Sequence, residues 1–125
     1  MNIVIWLGMA VAGGVGAACR LLVDGIVRNR IRIAYPLGTL IINVSGSLLL
    51  GFVTGLALSQ LVSDDWKTIL GTGLLGGYTT FSTASFETVR LIQERRYSAA
   101  LTNGLGMLVL SVAAAYLGLW LGGLL

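Results

Sequence analysis

Residues 71–88 read Gly-Thr-Gly-Leu-Leu-Gly-Gly-Tyr-Thr-Thr-Phe-Ser-Thr-Ala-Ser-Phe-Glu-Thr, so that four glycines precede the five hydroxyl side chains of Thr79, Thr80, Ser82, Thr83 and Ser85. None of these residue types makes or breaks bonds without a base or a metal, so the chemistry they suggest is the handling of ions. Gly76-Gly77 is the expected weak point of a helix. Freed carbonyls at such a break can coordinate a cation, and freed amides can face an anion. The plainer alternative is that the hydroxyls bond back to their own helix. Phe81 stands among them, and an aromatic ring is negative on its face and positive on its edge. Presented edge-on, it stabilises an anion without a full positive charge. That matters for conduction, which needs binding strong enough to admit an ion and weak enough to release it.

Other polar residues stand in apolar surroundings. Asn43 lies in Gly38-Thr39-Leu40-Ile41-Ile42-Asn43-Val44-Ser45-Gly46-Ser47. A buried amide in hydrocarbon is costly unless paired, so it marks a helix contact or a pathway. Asn103, Met107, Ser111 and Ala115 recur every four residues, which places them on one helix face. The chain has no histidine and a single cysteine, Cys19, so neither a disulfide within the chain nor a cysteine–histidine metal cluster is expected. With no convergent acid pair either, an enzyme is not expected.

The elements that must position these residues follow from composition. Of 125 residues, 56% are apolar, with only eight basic and five acidic side chains; soluble domains carry roughly a quarter charged residues. The charges cluster, leaving Ile3–Cys19, Ile33–Ser63, Thr68–Phe86 and Tyr97–Leu125 free of them. A membrane-spanning helix needs about 17–25 apolar residues. Backbone amides in lipid must be satisfied within the segment or by a closed barrel, and the windows lack the alternation of barrel strands. The expected fold is therefore all-α, a single multi-pass membrane domain with helices near 3–27, 34–62, 67–93 and 97–123, the third one broken. Met1–Asn2 offers no basic start, so the first window reads as a span rather than a cleaved signal.

The connections at Asp24–Arg32 and Arg90–Arg96 hold Arg28, Arg30, Arg32, Arg90, Arg95 and Arg96, against Lys67 with Asp64 and Asp65 at the opposite side. Basic residues in short loops are retained in the cytoplasm, which puts both termini outside. The net charge of +3 thus follows membrane topology and implies no nucleic-acid partner. Small residues at four-residue spacing (Ser47, Gly51 and Gly55; Ala12 and Gly16; Gly118 and Gly122) are expected to join helices closely. Four thin helices enclose little interior, so a water-filled pathway needs a second chain.

Three stretches, Gly13-Gly14-x-Gly16-Ala17-x-x-Arg20, Gly38-Thr39…Asn43…Gly46 and Gly76-Gly77-x-Thr79-Thr80-Phe81-Ser82-Thr83, resemble the Fluc (CrcB) fluoride channels over essentially the whole chain. The resemblance implies passive fluoride export across the bacterial plasma membrane by an antiparallel dimer, with two pores and a central structural sodium ion. It assigns the sodium carbonyls to Gly76 and Thr79, the pathway asparagine to Asn43, the first of two pore phenylalanines to Phe81, and a vestibule arginine to Arg20. Ser82, Thr83, Asn103 and Ser111 complete the expected ion pathway.

The sequence departs from that pattern in two places. Ala84 stands where the second phenylalanine is expected, and Met107 and Ala115 stand where hydroxyls are common. Together with the biased arginines, this favours pairing with an oppositely oriented paralogue over self-pairing as a dual-topology homodimer. The alternative function is a drug/proton antiporter of the small multidrug resistance type. That activity requires a membrane-embedded carboxylate, whereas the first helix has none before Asp24 and Glu87 reads as an interfacial partner of Arg90. A non-transporting assembly subunit is a third possibility, but hydroxyls around a broken helix would serve no purpose in it.

Overall fold

A computed structural model describes residues 2–33 and 35–125. Among these the chain is helical throughout its elements. Helix α1 spans Ile3–Arg30, its first turn capped by the Asn2 side chain, which accepts from the Ile5 amide at 3.0 Å. Helix α2 spans Leu37–Leu58. Helix α3 covers residues 64–78, α4 spans Phe81–Gln93, and α5 spans Tyr97–Gly123. Helices α1, α2 and α5 are each long and apolar enough to cross a bilayer, which makes this a multi-pass membrane protein.

The boundaries differ from the sequence expectation for local reasons. Helix α1 runs three residues past 27. Helix α2 begins after Pro36 rather than at 34, and Ala34 lies outside the described residues. It stops at Leu58 because Gln60 takes a left-handed conformation (φ 62°). The Gln60 amide then donates to Ala57 O at 3.0 Å and the Leu61 amide to Leu56 O at 2.9 Å, which closes the helix end. Helix α3 begins at Asp64 rather than 67, because the Ser63 hydroxyl accepts from the Trp66 amide at 3.3 Å. Within α3 the turns over Thr68–Leu75 widen to π-helical geometry, as do those over Thr102–Gly106 within α5.

Packing follows the small residues. Helix α2 lies against α5 and α1 against α3. A Cβ on Gly51 would strike the Ala115 carbonyl, and one on Gly118 would strike Leu48 O, so these two backbones touch through glycines. Gly16 admits the Leu74 carbonyl to α1 in the same way. The expected ladders are thus helix contacts, and Ala115 belongs to one of them. Few apolar side chains are buried, Ile42, Leu75, Leu91 and Met107 among them, while Trp6, Leu7, Val11, Leu21, Leu108 and Trp120 are exposed. Such a surface is stable against lipid tails and not against water.

Gly51→Val should lower the thermal unfolding midpoint of the detergent-solubilised protein sharply, by an overpacking cost of about 1–3 kcal/mol. Gly14→Ala should leave it unchanged, because a Cβ there meets nothing within 4 Å.

Candidate functional site

Helical conformation stops at Tyr78 and resumes at Phe81. Between them Thr79 (φ −80°, ψ 162°) and Thr80 (φ −148°, ψ 121°) are extended. The interruption lies beyond the expected weak point: Gly76 remains helical at φ −62°, ψ −39°. The reason is hydrogen bonding rather than glycine flexibility. The Thr79 amide makes the last ordinary helical bond of α3, to Leu75 O at 2.9 Å, and its hydroxyl donates to the same oxygen at 3.0 Å. Thr80 then caps α4, its hydroxyl accepting from the Thr83 amide at 3.1 Å.

The backbone polar groups of Thr80 itself are taken by α2. The Asn43 Nδ2 group donates to Thr80 O at 2.9 Å, and the Thr80 amide donates to Asn43 Oδ1 at 2.9 Å. This reciprocal pair fixes which end of the amide points where. The remaining Nδ2 hydrogen goes to Met107 Sδ at 3.1 Å. One turn further along α2, Gly46 leaves room for the Thr79 methyl group, and Ser45 Oγ shares a hydrogen bond with the Tyr78 hydroxyl at 3.0 Å.

A cavity of about 850 Å³ opens beside the interruption, bounded by α2, α3, α4 and the first part of α5. Asn43, Gly76, Thr79, Phe81, Asn103 and Ser111 line it, so most of the site residues named from the sequence converge on one space. Ser47, Thr72, Thr80, Ala84, Ser85, Thr88 and Met107 line it as well, whereas Ser82 and Thr83 are not among its lining residues. Among the described residues no charged side chain borders it. Phe81 is 87% exposed, so this chain leaves its ring uncovered. Phe86 is also exposed and is not among the cavity's lining residues. Of the α5 stripe, Asn103, Met107 and Ser111 face the cavity, while Ala115 packs on α2.

Asn103 is 1% exposed. Its Nδ2 donates to Thr88 Oγ1 at 2.7 Å and lies 3.4 Å from Ala84 O, while its Oδ1 has no partner among the described residues. Ser111 Oγ is likewise buried and unpartnered. Both helices that contribute π-helical turns present them here, through Gly71, Thr72 and Leu75 on one side and Asn103 and Gly104 on the other. Such turns recur at functional sites because they re-aim neighbouring groups. Sequence reasoning missed them, although the glycines at 71, 73, 104 and 106 were the available signal.

Arg20 lies elsewhere, half-buried on α1, with its Nε buried and unpartnered. A second, polar cavity of about 380 Å³ joins Asp24, Arg28 and Arg32 to Glu87 and Arg90, so both arginine-bearing connections share one end of the molecule. Arg28 pairs with Asp24 at 3.1 Å. Contrary to expectation, the partner of Arg90 is Glu94, at 3.5 Å, while one Glu87 oxygen is buried without a partner. In this cavity burial, followed by the nearby Glu87 charge, pushes the Tyr35 phenol above its ordinary pKa.

Asn43→Leu should destabilise the fold strongly. It leaves the Thr80 amide and carbonyl unpaired, at about 1–3 kcal/mol for each buried group. Thr80→Ala removes only the cap and should cost about 1 kcal/mol. Thermal unfolding of the two variants, side by side, checks the ranking.

The matches to known proteins extend over nearly the full length. The model of the family described as CrcB-like protein, Camphor Resistance (CrcB), covers residues 7–119. The Fluoride-specific ion channel FluC 1 of Leifsonia xyli subsp. xyli is 56% identical over 99% of this chain and 90% of its own length. The FluC 2 channels of Mycolicibacterium paratuberculosis and Mycobacterium tuberculosis are 47% and 44% identical, over 94% and 97% of this chain and 93% of each relative. With the family model matched over residues 7–119 and its relatives aligned nearly end to end, this chain belongs to the CrcB family.

Proposed function

We propose that the chain is a subunit of a fluoride-selective channel of the bacterial plasma membrane, which exports the anion passively and so lowers fluoride toxicity. One observation carries this reading beyond the relatives' names: beside apolar residues, the cavity at the interrupted third segment is lined by Phe81 and by amide and hydroxyl side chains, and none of its lining residues among those described is Lys, Arg, Asp or Glu. Neutral donors and a ring edge hold a small anion weakly enough to release it. No enzymatic step is involved. Hydrogen fluoride crosses the bilayer uncharged and ionises in the more alkaline cytoplasm. The inside-negative potential then assists the anion's exit by about 2.3 kcal/mol per charge per 100 mV. The antiporter alternative needs a carboxylate in the pathway, and the cavity lining offers none.

The pathway is completed by a second chain in antiparallel orientation. Support comes from the bare Phe81 ring and from a cavity that one chain leaves open. A structural sodium ion belongs at the same junction, on the main-chain carbonyls of Gly76 and Thr79. Both residues line the cavity, and space beyond Gly76 is free of close neighbours. The Thr79 hydroxyl is already committed to Leu75, so it would not serve as a ligand. Hard cations take about six or more oxygens, so two carbonyls of one chain need matching groups from another. The arginine bias favours an oppositely oriented paralogue as that second chain, and relatives that carry the numbers 1, 2 and 3 in their names accord with several copies.

Liposomes containing the purified protein, with its partner chain where one is required, should release fluoride and retain chloride, read by ion-selective electrodes, and comparable chloride flux would refute the selectivity. Phe81→Ile should abolish or strongly reduce fluoride release while leaving the unfolding midpoint near wild type, because it removes the ring edge and keeps apolar bulk. Single cysteines placed near Arg30 and near Asp65 should label from one side only if the partner is a paralogue. Equal labelling from both sides, with full flux from the chain alone, would establish a dual-topology homodimer.

A further inference from the structure

Asn43 has no spare hydrogen in this structure. One Nδ2 hydrogen and Oδ1 are held by the Thr80 backbone at 2.9 Å each, and the other hydrogen points at Met107 Sδ, 3.1 Å away. The two contacts differ in kind. A backbone carbonyl is a strong acceptor, whereas a thioether sulfur is a weak one. Met107 is 6% exposed, yet it borders the cavity, and its unbranched side chain has three rotatable bonds. Asn103 and Ser111 lie four residues before and after it on the same helix, about 6 Å along the axis in each direction. Each carries a buried polar atom without a partner.

We propose that Met107 is a placeholder acceptor: its thioether satisfies the outward Asn43 N–H while the site is empty and yields that hydrogen to an anion arriving in the cavity. The inference rests on the channel reading above and adds to it an affinity-setting role for a residue whose type suggests only packing. Sequential occupancy follows from the geometry. An anion displaces the sulfur, the thioether swings into the open space of the cavity, and its return helps eject the ion toward the next polar group on α5. The amide stays anchored throughout by its bonds to Thr80, so the site keeps its shape as the acceptor changes. No covalent step is involved, and no proton is transferred.

The test is Met107→Leu, which keeps side-chain volume and removes the acceptor. Liposome flux across a range of fluoride concentrations should show half-saturation falling about two- to threefold, since the ion no longer competes with the weak thioether acceptor. In parallel, methionine methyl NMR of the wild-type protein in bilayers should show one resonance that moves with added fluoride and is missing from Met107→Leu. The chain has three methionines, so the assignment is direct. If the wild type, reconstituted with its partner chain where one is required, passes no fluoride at all, the channel reading fails and this role fails with it. If the wild type passes fluoride but half-saturation is unchanged or higher in the variant, or fluoride leaves the methyl resonance unmoved, only the role of Met107 is overturned.

Discussion

Everything at the centre of this molecule depends on two hydrogen bonds between one side-chain amide and one backbone residue. A chain in lipid cannot leave its third segment non-helical unless each freed amide and carbonyl finds a partner inside the protein. Asn43 supplies both partners for Thr80, at equal distances and in an orientation that the pairing itself dictates. Once Thr80 is held extended, its hydroxyl caps α4. That cap sets where α4 begins, and Phe81 is its first residue. The phenylalanine therefore faces the cavity because an asparagine on another helix keeps the preceding residue out of the helix.

The glycines act one level below. They let α1 meet α3 and α2 meet α5 at backbone contact, which brings Asn43 within reach of the interruption and Met107 within reach of Asn43. Gly46, three residues after Asn43 on the same face of α2, clears the space that the Thr79 methyl enters. Without a hydrophobic drive between helices in lipid, this close contact and the interhelical hydrogen bonds are the forces available to hold the arrangement. The small number of buried apolar side chains is consistent with that.

Much of this was legible in the sequence, and the boundary of legibility has a physical meaning. Charge-free windows gave the three spans that α1, α2 and α5 form, because the bilayer imposes a length and a composition that nothing else in a short chain imitates. The four-residue spacing of small residues gave the helix contacts, and the stripe on α5 gave Asn103, Met107 and Ser111 on one face. The interruption was assigned to Gly76-Gly77, where conformational freedom is greatest, but it occurs at Thr79-Thr80, where partners exist. Freedom permits a break; hydrogen bonds decide its place. The π-helical turns and the pairing of Arg90 with Glu94 instead of Glu87 were equally out of reach, since each depends on how neighbouring turns pack. Ser82 and Thr83, expected in the ion pathway, fall within the first turn of α4 and are not among the residues that line the cavity.

The dependence of the interruption on Asn43 is open to direct observation by solid-state NMR of the protein in lipid bilayers, using the Cα and Cβ shifts of Thr79 and Thr80 as reporters of backbone conformation. The wild-type chain should show extended-type shifts at both residues, and Asn43→Leu should move Thr80 toward helical values or split it into several conformers. Helical shifts at Thr80 in the wild type, or unchanged extended shifts after Asn43 is replaced, would contradict the claim that this one amide holds the third segment open.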